Sequence, residues 1–275
     1  MLSEMAYTRR GVGEPLVLLH GIGHRHAAFE PVIDELAQHY DVIAADLPGL
    51  GDSPPLPPGT GYSADNVVRA IVENFELWGI ERPHVAGNSL GGLLSIALAQ
   101  EGHARSATGL SPAGFFYPWS LLQAALVLVP LKLGSYLPAP VLRALSRTTF
   151  GRFITGWALY ERPGRYSPDR VYGDMLAMKH AKGFWAYFVR CLPLGLASPP
   201  AFRRPARVPI TIAWGAKDKI LPKSQAKLAA RRMDGLEFVT LHGCGHVPMG
   251  DSPAQVIAAI EATTARASTT SDAAA

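Results

Sequence analysis

The sequence Val85-Ala86-Gly87-Asn88-Ser89-Leu90-Gly91-Gly92 decides the fold class of this protein. A β-prone approach meets Gly-x-Ser-x-Gly, and the apolar run 93–99 that follows is typical of a buried helix. This is the pattern of a nucleophile elbow, a sharp strand-to-helix turn that exposes one serine hydroxyl. Glycines suit such a turn because side chains would collide where strand and helix approach closely. The pattern alone arises by chance in roughly one such sequence in seven, so the rest of the chain must decide.

The composition is that of a globular protein with one sizeable core. The chain has 275 residues, of which 48% are hydrophobic and 17% charged, and a chain of this length buries about 70–75% of its unfolded surface. Two cysteines lie far apart, which indicates a reducing compartment rather than a disulfide framework. We find no signal-peptide pattern, and the longest apolar run, 121–131, is too short to span a bilayer. We therefore expect a cytoplasmic protein, free or peripheral to a membrane.

The middle of the chain differs in charge from the rest. The formal net charge is +4, yet residues 112–207 hold 13 Lys and Arg against three acidic residues. Residues 115–202 also hold 16 of the 24 aromatic residues. A basic excess is usually a solvated face, but it also favours weak association with anionic lipid or binding of an acidic substrate. No basic helix or stacking platform indicates a nucleic-acid partner.

Short apolar strands alternate with amphipathic helices outside this middle segment. The predicted strands are 6–10, 16–19, 42–45, 84–86, 107–110, 208–214 and 236–241. The alternation predicts an α/β fold, with a mainly parallel central sheet and helices on both faces. Residues 114–206 lack the alternation and are predicted to be an inserted helical lid on a core formed by 1–113 and 207–275. The small, polar residues 267–275 are predicted to be disordered.

An acid and a histidine follow later strands in an order that suits serine catalysis. A serine hydroxyl needs a base to take its proton, and that base needs an orienting group. Asp218 and His246 each follow a later strand, and the functional crevice of a parallel sheet lies outside the carboxyl ends of its strands. The loop 110–113 offers no carboxylate, which favours Asp218. A surface pairing of Asp218 with a neighbouring lysine and the use of His242 as the base stay open as alternatives.

With these motifs in place, the chain resembles the α/β-hydrolase family, in its lid-bearing, esterase- or lipase-like serine hydrolase form. The motifs that carry the resemblance are His20-Gly21-Ile22-Gly23, the loop from Asp46 to Ser53, Gly87 to Gly91, Gly215-x-x-Asp218-x-x-x-Pro222 and Gly245-His246. The resemblance covers nearly all of the chain outside the predicted lid.

The resemblance implies a role for each residue of the predicted site. Ser89 would be the nucleophile, His246 the general base and acid, and Asp218 the orienting carboxylate. The backbone N–H groups of Ile22 and Leu90 would form the oxyanion hole. No cofactor or metal is implied.

The expected function is hydrolysis of a hydrophobic small-molecule ester through an acyl-enzyme. The serine at position 89 argues against epoxide hydrolases and haloalkane dehalogenases, which use aspartate at the elbow. Two alternatives stay open. One is a carbon–carbon bond hydrolase of ring-cleavage products, although its Ser-Gly-Pro-Gly type of oxyanion loop is absent here. The other is a ligand-binding receptor of the hydrolase fold. The sequence does not predict an oligomeric state.

Other polar residues near the motifs have simpler interpretations. His20 is predicted to be structural, beneath the oxyanion loop. His24-Arg25-His26 is interpreted as a pair of solvated loop histidines rather than a metal site, with His24 at the border of the substrate. Cys244 is interpreted as a packed thiol rather than a nucleophile, because no second base is evident.

Overall fold

The computed structural model describes residues 2–191, 202 and 205–272 of the chain. This part contains the strands β1 (Tyr7–Arg10), β2 (Glu14–Leu19), β3 (Tyr40–Ala45), β4 (His84–Asn88), β5 (Ser106–Leu110), β6 (Ile210–Gly215) and β7 (Leu236–Leu241). They form one sheet in the order β1-β3-β2-β4-β5-β6-β7. The neighbouring pairs are parallel except for β1 and β3, which are antiparallel. The predicted mainly parallel sheet is confirmed.

The helices follow the strands in the expected alternation. They are α1 (Glu30–Leu36), α2 (Ala64–Leu77), α3 (Leu90–Gln100), α4 (Pro118–Gly134), α5 (Ala139–Arg147), α6 (Thr149–Gly156), α7 (Pro168–His180), α8 (Phe184–Cys191), α9 (Gln225–Arg232), α10 (Pro248–Asp251) and α11 (Pro253–Asp272). Short 3-10 helices occur at His26–Phe29 and Pro163–Arg165.

Helices cover both faces of the sheet because alternate residues of each central strand point to opposite sides. Val17 and Leu19 of β2 belong to a core that includes buried residues of α2 and α3. Leu16 and Leu18, on the opposite face, belong to a second core with residues of α1 and α11. Every residue of α3 is buried, so this helix behaves as a core element rather than an amphipathic one.

Helices α4 to α8 lie between β5 and β6 in the chain, where the sequence predicts helical structure. Lys132 of α4 is buried and donates hydrogen bonds to the carbonyl oxygens of Met178 and Ala181, at 2.6 and 3.3 Å. This ammonium group therefore satisfies carbonyls at the carboxyl end of α7 and fixes α4 against it. Within the described ranges, no single helix is long and apolar enough to cross a bilayer, although α4 and α5, bent by 116°, meet that test as a pair.

The carboxyl-terminal helix extends further than the sequence predicts. Residues 267–272, predicted to be disordered, belong to α11. Val256, Ile260, Thr263 and Ala267 recur every three or four residues and are all buried, so the packed face of the helix continues into the predicted tail. Residues 273–275 lie outside the described residues.

Candidate active site

Ser89 lies at the turn between β4 and α3 and has a strained backbone. Its φ is +55° and its ψ is −112°, a conformation that costs a non-glycine residue about 1–3 kcal/mol. The close crossing of strand and helix enforces it. A Cβ on Gly87 would overlap the backbone of Gly91, and a Cβ on Gly91 would overlap the carbonyl oxygen of Leu19. The Ser89 N–H donates to Leu110 O at 3.0 Å, which anchors the turn to β5.

His246 and Asp218 are brought together by the loops after β7 and β6. Nδ1 of His246 lies 2.8 Å from Oδ2 of Asp218, and both side chains are at least 95% buried. Oδ1 of Asp218 accepts the N–H groups of Ile220 and Leu221, at 2.9 and 2.8 Å. An ionised carboxylate only accepts hydrogen bonds, so Nδ1 carries the proton. Nε2 is then the ring nitrogen that is free to take a proton.

Asn88 connects Ser89 to the histidine loop, a role that the sequence did not indicate. Its Nδ2 donates to His246 O at 2.8 Å and to Leu110 O at 3.0 Å. The residue preceding Ser89 therefore fixes the backbone of His246 relative to the elbow. Gly-x-Ser-x-Gly leaves this position unrestricted, which is why the pattern gave no signal for it.

The alternative assignments for this site are not favoured by the geometry. His242 is exposed, and Oδ2 of Asp218 is bonded to His246 instead. Lys219 donates to the carbonyl oxygen of Trp157 at 2.9 Å instead of pairing with Asp218. Cys244 is fully buried, and burial raises the pKa of its thiol to about 11, so the thiolate is scarce at neutral pH.

The loop from His20 to Gly23 lies against the elbow. The N–H of Gly91 in α3 donates to His20 O at 3.1 Å, and a Cβ on Gly21 would lie 3.2 Å from Cβ of Ser89. Ile22 lines the same cavity as Ser89. Leu90 begins α3, where the first backbone N–H groups of a helix have no intrahelical partner. Ile22 therefore lies in the wall of the cavity that contains Ser89, and Leu90 follows Ser89 directly at the start of α3.

His20 is buried beneath this loop and bonds the backbone on both sides. Leu47 N–H donates to its Nε2 at 3.0 Å, so the proton is on Nδ1, which donates to Gly21 O at 2.8 Å. Burial lowers the pKa of His20 to about 4, although the nearby Asp46 opposes this shift.

The depressed pKa of His20 predicts that acid destabilises the protein. Between about pH 6.5 and pH 4 the unfolded chain binds a proton at this residue that the folded chain does not bind. The contribution of neutral His20 to the free energy of unfolding is fully present above pH 6.5 and falls by about 3 kcal/mol as the pH approaches 4. We expect His20→Gln to remove that part of the pH dependence of the free energy of unfolding, measured with urea at pH 7 and pH 4. The exposed His39→Gln is the control, and an equal loss of stability in His20→Gln and the unmutated protein would contradict the assignment.

Ser89 and His246 line a cavity of about 370 Å³ whose wall is mostly apolar. Its lining residues from α4 to α7 are Leu126, Val127, Leu128, Pro130, Leu131, Gly134, Leu142, Leu145, Ile154, Thr155, Gly156, Val171, Asp174, Met175 and Met178. Cavities of this size and apolar character bind small organic molecules.

The prediction that His24 and His26 are solvated is wrong. His24 is 7% exposed and lines the cavity, as expected of a residue at the border of the substrate. The side chain of His26 is 18% exposed, and both its N–H and its Nδ1 contact Oδ1 of Asp46. The loop is folded inward by these hydrogen bonds, which a run of polar residues does not reveal. In the described ranges, no three His, Cys, Asp or Glu side chains are arranged to hold a metal ion.

Comparison with known proteins identifies the family. A family model described as "Alpha/beta hydrolase family" matches residues 16–259. The chain belongs to the α/β hydrolase family. The match includes the elbow, the loop after β6 and the loop after β7.

Individual relatives of this hydrolase differ in activity. A pimeloyl-[acyl-carrier protein] methyl ester esterase of Aeromonas salmonicida is 28% identical over 260 residues, covering 92% of this chain and 96% of the relative. An epoxide hydrolase of Mycobacterium tuberculosis is 30% identical over 206 residues, covering 70% of this chain and 89% of the relative. A solved meta-cleavage product hydrolase from Pseudomonas fluorescens IP01 superposes with a TM-score of 0.73 at 22% identity, covering 94% and 93% of the two chains. At this sequence identity, the structural similarity to the last protein shows that the two proteins share a fold.

Proposed function

We propose that this α/β hydrolase is a Ser-His-Asp enzyme that cleaves carboxylic esters with a hydrophobic acyl or aryl group. One observation carries the proposal: Ser89 and His246 line the same largely apolar cavity, and His246 is bonded through Nδ1 to the buried Asp218. The similarity to an ester esterase over nearly the whole chain supports this choice of reaction. The serine at the elbow argues against epoxide hydrolysis, despite the similarity to an epoxide hydrolase.

The proposed reaction has two halves. In the first, His246 Nε2 takes the proton of Ser89 as Oγ attacks the carbonyl carbon, and the C=O electron pair moves to the oxygen. The tetrahedral intermediate then breaks its bond to the alcohol oxygen, which leaves with the proton from His246. In the second half, water loses a proton to His246 and attacks the acyl-enzyme. The acid departs as Ser89 regains its proton.

The oxyanion of each intermediate is proposed to accept hydrogen bonds from the backbone N–H groups of Ile22 and Leu90. The hydrogen bond from Gly91 to His20 O supports this pairing, because it holds the loop against the start of α3. Loss of one such donor typically costs about 3 kcal/mol of transition-state stabilisation. Asp218 holds the imidazole in the required tautomer and stabilises the imidazolium.

Residues 114–206 are proposed to act as a helical lid over the core formed by 1–113 and 207–275. Helices α4 to α7 supply most of the apolar cavity lining, whereas the strand-end loops supply Ser89, Ile22 and His246. The chemistry would thus reside in the core and the selection of the hydrophobic group in the lid.

A panel of aryl and methyl esters with acyl chains of increasing length tests the proposed reaction. We expect kcat/KM to rise with chain length until the cavity is filled. Consumption of a dienoate ring-cleavage product without ester turnover would favour carbon–carbon bond hydrolysis instead. Tight ligand binding without any turnover would favour a receptor.

We also propose that the lid associates weakly with anionic phospholipid bilayers. Leu126, Leu137, Ile154 and Trp157 line the cavity and are each at least 40% exposed, so its mouth is apolar on the outside. Phe150 and Phe153 of α6 are 72% and 56% exposed. The excess of basic residues over the same segment makes an anionic surface the complementary partner.

Binding to phosphatidylglycerol vesicles is expected at low salt and is expected to weaken with added salt or with phosphatidylcholine vesicles. Phe150→Ser combined with Phe153→Ser should weaken vesicle binding while hydrolysis of a water-soluble ester is unchanged, since neither residue lines the cavity. The control is Val12→Ser, which alters an exposed residue in the β1–β2 turn, at the opposite end of the sheet. Cosedimentation that is insensitive to salt, lipid charge and the phenylalanine substitutions would contradict the proposal.

A further inference from the structure

A small polar cluster interrupts the apolar wall of the cavity. His24, Tyr160 and Asp174 all line it, together with Ser89 and His246. His24 follows the proposed oxyanion loop, whereas Tyr160 and Asp174 come from the proposed lid. The triad mechanism uses none of the three.

One oxygen of Asp174 is buried without a partner. The side chain is nine-tenths buried, and its Oδ2 accepts the hydroxyl of Tyr160 at 2.9 Å and Nε of Arg170 at 3.4 Å. Its Oδ1 accepts no hydrogen bond from any described residue. Nε2 of His24 lies 3.8 Å from Oδ1, which is beyond hydrogen-bonding distance. Burying a carboxylate oxygen without a hydrogen bond costs folding free energy, unless a bound ligand donates the hydrogen bond.

His24 presents a donor to the same space. The N–H of Arg25 donates to Nδ1 of His24 at 3.1 Å, so the ring proton is on Nε2. Burial lowers the pKa of His24, which keeps the ring neutral with this single N–H donor. The hydroxyl of Tyr160 lies 3.4 Å from Nε2, a long contact that leaves the donor weakly satisfied.

The donor on His24 and the acceptor on Asp174 together define the chemistry of a group that could bind both. A hydroxyl can accept from one and donate to the other through a single oxygen, and an oxygen about 2.8 Å from each atom spans their separation. A carboxylate would be repelled by Asp174. An ammonium group could donate to Asp174 but has no lone pair for His24, and an alkyl group would leave both unpaired.

We propose that His24 and Asp174 form a hydroxyl-binding subsite and that the substrates are esters carrying a free hydroxyl on the chain that enters the cavity. This inference rests on the proposed ester hydrolysis. It refines the substrate class from hydrophobic esters to hydroxylated hydrophobic esters.

Paired esters test the subsite directly. Two series are needed, methyl esters of hydroxyalkanoic acids and monoesters of alkanediols, each with a counterpart in which a methyl group replaces the hydroxyl. We expect one hydroxyl position to raise kcat/KM about tenfold to a hundredfold over its counterpart, since the group bonds a buried charge. If no position in either series exceeds its counterpart, the proposal is wrong and any occupant of the site is a bound water.

Variants at the subsite separate it from a structural role. Asp174→Leu should lower kcat/KM for the hydroxylated ester to that of its methyl-for-hydroxyl counterpart measured in the same variant, whereas Met175→Leu, in the same cavity wall, should retain the preference. If Asp174→Leu does not fold, Asp174→Asn is tested in its place. The amide oxygen of this asparagine can still accept the hydrogen bond from Tyr160, but its NH₂ group then lies opposite the N–H donor of His24. Because neither group can accept from the other, the preference for the hydroxylated ester should fall. Retention of the full preference in Asp174→Leu or Asp174→Asn would overturn the assignment.

A binding measurement distinguishes failure of the subsite from failure of the proposed reaction. Calorimetric titration of Ser89→Ala with each ester pair requires no turnover. Tighter binding of the hydroxylated ester supports the subsite even if no ester is cleaved by the unmutated protein. Equal Kd values within every pair would overturn the subsite even if esters are cleaved.

Discussion

Replacing Ser89 with alanine is expected to lower kcat for ester hydrolysis by about four to six orders of magnitude. Without Oγ no acyl-enzyme forms, and only the cavity and the proposed oxyanion-hole N–H groups of Ile22 and Leu90 would remain to assist attack by water. Alanine experiences the same backbone strain as serine at φ +55°, so the melting temperature should be nearly unchanged. Steady-state kinetics with a short aryl ester gives the measurement.

The matched control is Ser224→Ala. Ser224 is exposed and precedes α9 without a side-chain capping hydrogen bond, so its loss should leave kcat unchanged. Retention of more than about a hundredth of the activity in Ser89→Ala would mean that another group attacks the ester.

Asp218→Asn is expected to lower kcat by about three to four orders of magnitude while the fold is retained. The asparagine carbonyl can keep the two hydrogen bonds from Ile220 and Leu221. Its Nδ2 group then donates to Nδ1 of His246, which forces the ring proton onto Nε2. The imidazole can no longer accept the proton of Ser89, so the loss falls on kcat and not on substrate binding.

The control for this change is Asp169→Asn, which removes an exposed carboxylate paired with Arg143. An exposed ion pair contributes about 1 kcal/mol or less, so activity and stability should be almost unaffected. If Ser89 and Asp218 act in one triad, we expect the effects of Ser89→Ala and Asp218→Asn on kcat to be far from additive. Additive losses would show that the two residues act independently.

The core of the fold was predictable because its signals are local. The alternation of apolar strands with helices identified the parallel sheet, and the ends of β4, β6 and β7 carry Ser89, Asp218 and His246 at one edge. Parallel register then brings distant residues together without further information. The elbow was readable because both of its glycines are required by the crossing of strand and helix.

The cavity wall was less predictable because it depends on how separate segments pack. Asn88 occupies a position that the elbow pattern leaves free, and its contact with His246 spans 158 residues of sequence. Asp174 had one available signal, as one of three acids among 13 basic residues, but its neighbour His24 in the cavity wall lies 150 residues away in the sequence. Composition likewise did not indicate that α11 continues to Asp272 or that Ala267 is buried.

Intact-protein mass spectrometry after reaction with a fluorophosphonate tests the central claim most directly. The phosphorus electrophile reacts with an activated serine and leaves a stable adduct that mimics the tetrahedral intermediate. We expect one adduct per chain, located on Ser89 after digestion, absent from Ser89→Ala and formed much more slowly in Asp218→Asn. An adduct that persists in Ser89→Ala, or that forms at an undiminished rate in Asp218→Asn, would contradict the central claim.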